Sequence, residues 1–135
     1  MTSASFALQV AIVSALSNDG NLIGLLGGPR VYDDVPARGE FPFITIGQTT
    51  ERDWSTGSEP GSEHVFTLHV WSRAHGRKQA DEVITAAKSV LHDQPLTLVD
   101  HRLVNLRCEF SEARRDSDGE TFHGLVRFRA VTEML

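Results

Sequence analysis

His64-Val65-Phe66-Thr67-Leu68-His69-Val70-Trp71-Ser72 is the stretch that decides the fold. Phe66, Leu68 and Val70 alternate with Val65, Thr67, His69 and Trp71. Successive strand side chains point to opposite faces, so this alternation predicts a strand with one dry face and one open face. A turn over 73–76 leads into an amphipathic helix over about 77–92. Its stripe of Ala80, Val83, Ile84, Ala87 and Leu91 suits the dry face, and Gln94-Pro95 closes it. Strand and helix are made to cover one another.

Working outward, residues 41–50 read as a second strand, with Phe43, Thr45 and Gly47 on one face and Ile44, Ile46 and Gln48 on the other. Residues 30–35 read as a short edge strand stopped by Pro36. Toward the C-terminus, residues 103–110 place Val104, Leu106, Cys108 and Phe110 on one face and Leu103, Asn105, Arg107 and Glu109 on the other. Residues 121–132 place Phe122, Val126, Phe128 and Ala130 opposite Leu125, Arg127, Arg129 and Val131. Asp118-Gly119 between these two runs is a hairpin signal. Near the N-terminus, Ser3 or Ser5 caps a helix reaching about Ser17, and residues 21–26 add another turn before Gly27-Gly28-Pro29. The expected fold class is α+β, a mostly antiparallel sheet with helices packed on one face. The opposite face then presents Thr45, His69, Asn105, Arg107, Arg127 and Arg129.

The first helix is apolar on two sides. Leu8, Ala11, Ile12, Ala15 and Leu16 form one face, and Phe6, Val10 and Val13 a second. A helix of this kind is covered twice, by its own core or by another subunit.

At 135 residues, 40% hydrophobic and 23% charged, the chain fits a single globular domain, 1–135. Its net charge of −5 disfavours broad nucleic-acid binding, which draws on phosphate neutralisation. Residues 1–60 carry three basic and seven acidic groups, so arginine-bearing surface comes from the second half. The single cysteine, Cys108, excludes an internal disulfide and alternates with core residues. No basic residue precedes Arg30, so no secretory leader is expected, and no apolar run approaches the ~20 residues that span a bilayer.

Recognisable catalytic chemistry is missing from the pattern. The six histidines lack i, i+4 pairs and Cys/His clusters. His64, His69 and His75 lie too far apart along one strand to share an ion. Asp33-Asp34 and the Asp116/Asp118 pair lack the ligand alternation of a calcium loop. Gly24, Gly27 and Gly28 lack the Lys-Ser/Thr of a phosphate loop. No serine stands in a triad signature. No catalytic residue, cofactor or metal is expected. A linker-like segment over 49–63 reads as one long loop, with Arg52, Asp53 and Trp54 in its polar middle. Trp54 serves either as an anchor for a partner protein or as a cover for its own sheet. The candidate partner-contact residues are therefore Phe6, Val10, Val13, Arg52, Asp53, Trp54, His69, Arg107, Arg127 and Arg129.

Several motifs in order resemble a known family. They are Gly27-Gly28-Pro29-Arg30-Val31-Tyr32 leading to Val35-Pro36, then Phe41-Pro42-Phe43-Ile44-Thr45-Ile46-Gly47. Leu68-His69-Val70-Trp71-Ser72 follows, with Gly76 and a helix, and then Arg114 to Gly119 leading into His123-Gly124. Nearly the whole chain thus resembles the tail-completion, or tail terminator, proteins of long-tailed phages, prophages and gene transfer agents. The resemblance implies an α+β subunit of a homo-hexameric ring at the head-proximal end of the tail tube. Such a ring halts tube polymerisation and docks the head connector or stopper protein, while DNA passes through its lumen without sequence-specific binding. It further implies a particle component at the head–tail junction, present in the bacterial cytoplasm before assembly, with no membrane partner. The family brings no catalytic residues or cofactors. The alternatives are another neck or head-closure protein, or a small cytosolic α+β enzyme or ligand-binding domain.

Overall fold

The computed structural model describes residues 2–36 and 39–135. The alternating stretch lies in β3 (Gly61–Ser72), and Phe66, Leu68 and Val70 are all buried. Antiparallel partners flank it, β2 (Phe43–Asp53) on one side and β5 (Phe122–Met134) on the other. Beyond β5 lies β4 (His101–Arg115), and outside β2 lies the two-residue β1 (Val31–Tyr32), the one parallel pairing. The sheet order is β1-β2-β3-β5-β4.

Three helices, α1 (Ala4–Ser17), α2 (Gly20–Leu26) and α3 (Lys78–Leu91), share one hydrophobic cluster with the sheet's inner face. All five stripe residues of α3 are buried, and Phe66 stacks on Phe128 at 5.3 Å within the core. Ser3 caps α1 by accepting from the Phe6 N–H, and Asp19 caps α2 through the Leu22 N–H. The α2 helix ends at Gly27, in the left-handed conformation that glycine adopts without steric cost. The β4–β5 connection closes around Asp118, whose carboxylate accepts from the Thr121 N–H, the Thr121 hydroxyl and the Glu120 N–H. These bonds, the Thr121 N–H foremost, hold the carboxyl down to about 2.

Four sequence expectations need correction. The loop expected over 49–63 is mostly strand: residues 49–53 pair with 62–66, so β2 and β3 extend as a two-stranded arm and the turn occupies 54–60. The arm's β2 strand is polar and exposed, so hydrophobic periodicity carries no trace of it. A register shift between Ile46 and Thr49 interrupts the expected alternation through Gly47 and Gln48. The edge strand expected over 30–35 shortens to β1.

The fourth correction concerns β4. It carries register shifts between Leu103 and Asn105 and between Cys108 and Phe110. Each inserted residue reverses the facing of what lies beyond it. Leu103 thus pairs with Thr132 on the inner face, and Phe110 pairs with Arg127 on the open face. Leu106 and Cys108, lying between the bulges, pair with inner-face residues as expected.

Candidate assembly surfaces

Cross-strand partners share a face, so the ladder fixes what the open side of the sheet displays. At the end nearest the β4–β5 turn, the row runs Phe43, Trp71, His123, Arg114. The next row runs Thr45, His69, Leu125, Glu112. Trp71 stacks on His123 at 4.0 Å with 10° between the planes, and its indole N–H donates to Thr45 Oγ1 at 3.0 Å. His69 Nδ1 and His123 Nε2 are hydrogen-bonded at 2.7 Å, so one imidazole carries the shared proton. Burial pushes both histidines below the usual value of 6.5; mutual repulsion depresses His123 further, and the Arg114 charge adds to the effect on His69. Gly47 borders this cluster so closely that a Cβ there would lie 2.4 Å from His69 Nε2.

Toward the arm, the rows run Thr67–Arg127–Phe110, then Thr50–Val65–Arg129–Arg107, then Arg52–Glu63–Val131–Asn105. Glu63 is buried between two guanidinium groups, with Arg52 Nε and Arg129 Nε each donating at 2.5 Å. The Arg129 hydrogen bond is the main influence holding its carboxyl below the usual range. Trp54 lies over both arginines, 5.1 Å from Arg129 and 5.9 Å from Arg52. The indole thus folds back on its own sheet and still leaves 47% of its surface exposed. Asp53 turns to the other side and fixes the start of the turn through Ser55.

The arginines expected on this face are there, but carboxylates meet most of them. Arg129 is paired with Glu63, Arg107 with Asp93 at 3.8 Å, Arg114 with Glu112 at 3.4 Å, and Arg102 with Glu133. Arg127 instead lies over the Phe110 ring at 5.3 Å. A face balanced this way has little free positive charge to grip phosphates.

On the helix layer, Phe6 and Val10 stand one turn apart on α1, 58% and 47% exposed. Val13 does not join them: it packs against the core cluster. The α1 sequence contains no charged residue. The sheet therefore gathers His69, Arg107, Arg127, Arg129, Arg52 and Trp54 onto one face, with Phe6 and Val10 on a separate surface. Sequence reasoning missed Glu63, the Trp71–His123 stack and Phe110. Strand parity could have pointed to His123, but Phe110 reaches the open face by a bulge that leaves no sequence trace. Among the described residues, no group of three His, Cys, Asp or Glu side chains is placed to hold a metal ion, and no helix is long and apolar enough to cross a membrane.

This architecture is that of a component of phage-like particles. A chain in the virion of a native gene transfer agent (GTA) particle superposes with a TM-score of 0.88 at 30% identity, over 98% of this chain and 99% of that one. The family model for tail completion protein gp17 matches residues 10–133, and the chain belongs to that family. It is 25% identical to the tail completion protein gp17 of Bacillus phage SPP1 over 126 residues, 93% of this chain and 92% of that protein. The structure of bacteriophage SPP1 gp17 shares the fold, with a TM-score of 0.62 at 23% identity over 94% of this chain and 89% of that one.

Proposed function

We propose that this chain, acting as a single domain over 1–135, assembles into a homo-hexameric ring on the head-proximal end of a tail tube. There it ends tube polymerisation and joins the tail to the head connector or stopper protein. Its role is structural, not enzymatic, and DNA passes through the lumen without sequence-specific contact. The chain waits in the bacterial cytoplasm until assembly brings it to the head–tail junction. The observation that carries this reading is the near full-length match to a chain of a GTA particle, together with the tail completion family match.

The geometry supports it. A ring subunit needs two different patches that meet head to tail. The two edges of the sheet, at β2 and at β4, differ from one another, and the exposed Phe6–Val10 patch and the open sheet face remain as separate surfaces beside them. The balanced charges of Arg107, Arg129 and their neighbours suit a wall past which a polyanion slides. Arg52, Asp53 and Trp54 place the 54–60 turn at one pole of the sheet, where it meets the tube or the connector. Deleting the gene should give particles with tails of uncontrolled length that are not joined to heads. Deleting residues 54–61 should impair joining while leaving the core folded. Normal tails, joined to capsids in the absence of this chain, would overturn the proposal.

A further inference from the structure

We propose that neighbouring copies are joined edge to edge through the sheet, residues 49–54 of one copy pairing antiparallel with residues 110–115 of the next. This rests on the ring reading above and assigns its subunit contact.

Both segments are sheet edges whose outer sides, among the described residues, take no backbone hydrogen bond. Part of each edge is occupied. On β2, β1 covers Ile44 and Thr45. On β4, the connection after α3 covers the first half: Thr97 bridges Arg102, the Asp93 N–H donates to the Leu106 carbonyl, and the Cys108 N–H donates to His92 Nδ1. What is left open is the end of β4, about six residues, and β2 from Ile46 onward, where the register shift before Thr49 sets off the arm strand. Beside the free half of β4 runs a groove against α3, in a 690 Å³ part that includes Lys88 and Phe110 and a 260 Å³ part that includes Arg77 and Ala113; the two meet at Ser111. Its floor is an unsatisfied strand edge, the setting for strand addition.

The polarity is right for a second copy. From β2 to β4 each strand is antiparallel to its neighbour, so the outer two run in opposite directions. Copies repeated about a ring axis with the same orientation therefore present β4 to β2 antiparallel. A two-fold pairing of β4 with β4 would use one edge and leave the arm's edge bare.

Charge and shape select a register. With Arg52 opposite Glu112 on the open face, Trp54 meets the exposed Phe110 and Thr50 meets Arg114. On the inner face Glu51 then lies diagonal to Arg115. Sliding by two residues one way sets Arg52 against Arg114, like against like. Sliding the other way sets Trp54 against Cys108, whose outer N–H already serves His92.

The offset also closes. Within one copy Arg52 lies level with Asn105, so bringing it to Glu112 needs a stagger of roughly 20 Å at ~3.3 Å per residue. One copy is four strands wide from β2 to β4, roughly 19 Å at ~4.8 Å per strand. Their ratio is a strand tilt of roughly 45°, at the upper end of the ~35–45° of closed barrels. Six copies give about twenty-four strands, more than the roughly sixteen to eighteen that enclose an aqueous channel in porins.

The test uses Thr50→Cys with Arg114→Cys in a Cys108→Ser background, assembled into particles and mildly oxidised, with imaging of the same particles. Edge pairing predicts loss of the monomer band and a reducible ladder running to the closed ring, with neither single-cysteine variant cross-linking. Imaged rings without a ladder would overturn the pairing and leave the ring standing. Dimers from Arg114→Cys alone would overturn it in favour of two-fold contact. If imaging shows no ring at the head–tail junction, the ring reading falls, and the pairing falls with it.

Discussion

The two faces of the sheet differ in what holds them. The inner face is mostly apolar, with Phe66, Leu68, Val70, Val126, Phe128 and Ala130 interchangeable in chemistry if not in shape and His64 hydrogen-bonded to Thr132 among them. The open face has an imidazole pair, a stacked indole, a carboxylate between two guanidiniums and a bulge-turned phenylalanine, each dependent on its own neighbour. Burial thus holds one side and paired polar and aromatic contacts the other, and damage to the two sides should read out differently.

The largest effect is expected inside. Phe128→Ala removes half of the buried stack with Phe66 and should cost about 3–5 kcal/mol in denaturant unfolding. Next comes the open-face clamp. In Glu63→Gln the arginines lose their shared anion and Trp54 loses its platform. We expect a smaller fall in Tm than for Phe128→Ala, with red-shifted Trp54 emission in a Trp71→Phe background. An equal fall would erase the division between the faces.

The histidine pair gives a third, pH-dependent effect. His69 and His123 titrate below 6.5 in the folded chain, so the unfolded chain takes up protons first. Stability is therefore full above the ordinary histidine value and declines as pH falls through it. Tm should be lower at pH 5 than at pH 7, and the difference should shrink in His69→Gln. His64, buried against Thr132, has a pKa depressed by burial and keeps part of the dependence in that variant. Asp116, Glu112 and Arg114 lie around the pair, so the comparison between variants isolates the imidazoles. The smallest change in stability is expected on α1. Phe6→Ser and Val10→Ser should each shift unfolding by no more than about 0.5 kcal/mol, as exposed sites do, yet lower the yield of joined particles.

The same division explains what could be read from the sequence. The inner face was legible because burial imposes a period: alternation in β3 and β5 and the stripe of α3 each point to residues that are buried. The arm was not, because a ribbon with an exposed polar strand leaves no periodic trace, and its strands are held by backbone pairing that any side chain permits. Alternation alone puts Leu103 and Phe110 on the wrong faces because a bulge is a matter of backbone register and follows no residue type. Helical angle alone places Val13 with Phe6 and Val10, whereas the core cluster reaches around α1 to meet it. The set of open-face arginines was legible, but their partners were not. Glu63 stands next to His64 in the chain, and nothing in that neighbourhood announces Arg129 across the sheet.

Gly47 shows how one absent methyl group shapes that outer surface. His69 leans into the room a side chain would have filled, so the footing of the imidazole pair is a vacancy on the adjoining strand. Gly47→Ala leaves net charge untouched, yet the His69 ring must shift to make room for the added methyl, and with it the contact to His123 and Trp71. A position with no side chain of its own thus helps set the geometry of two aromatic neighbours.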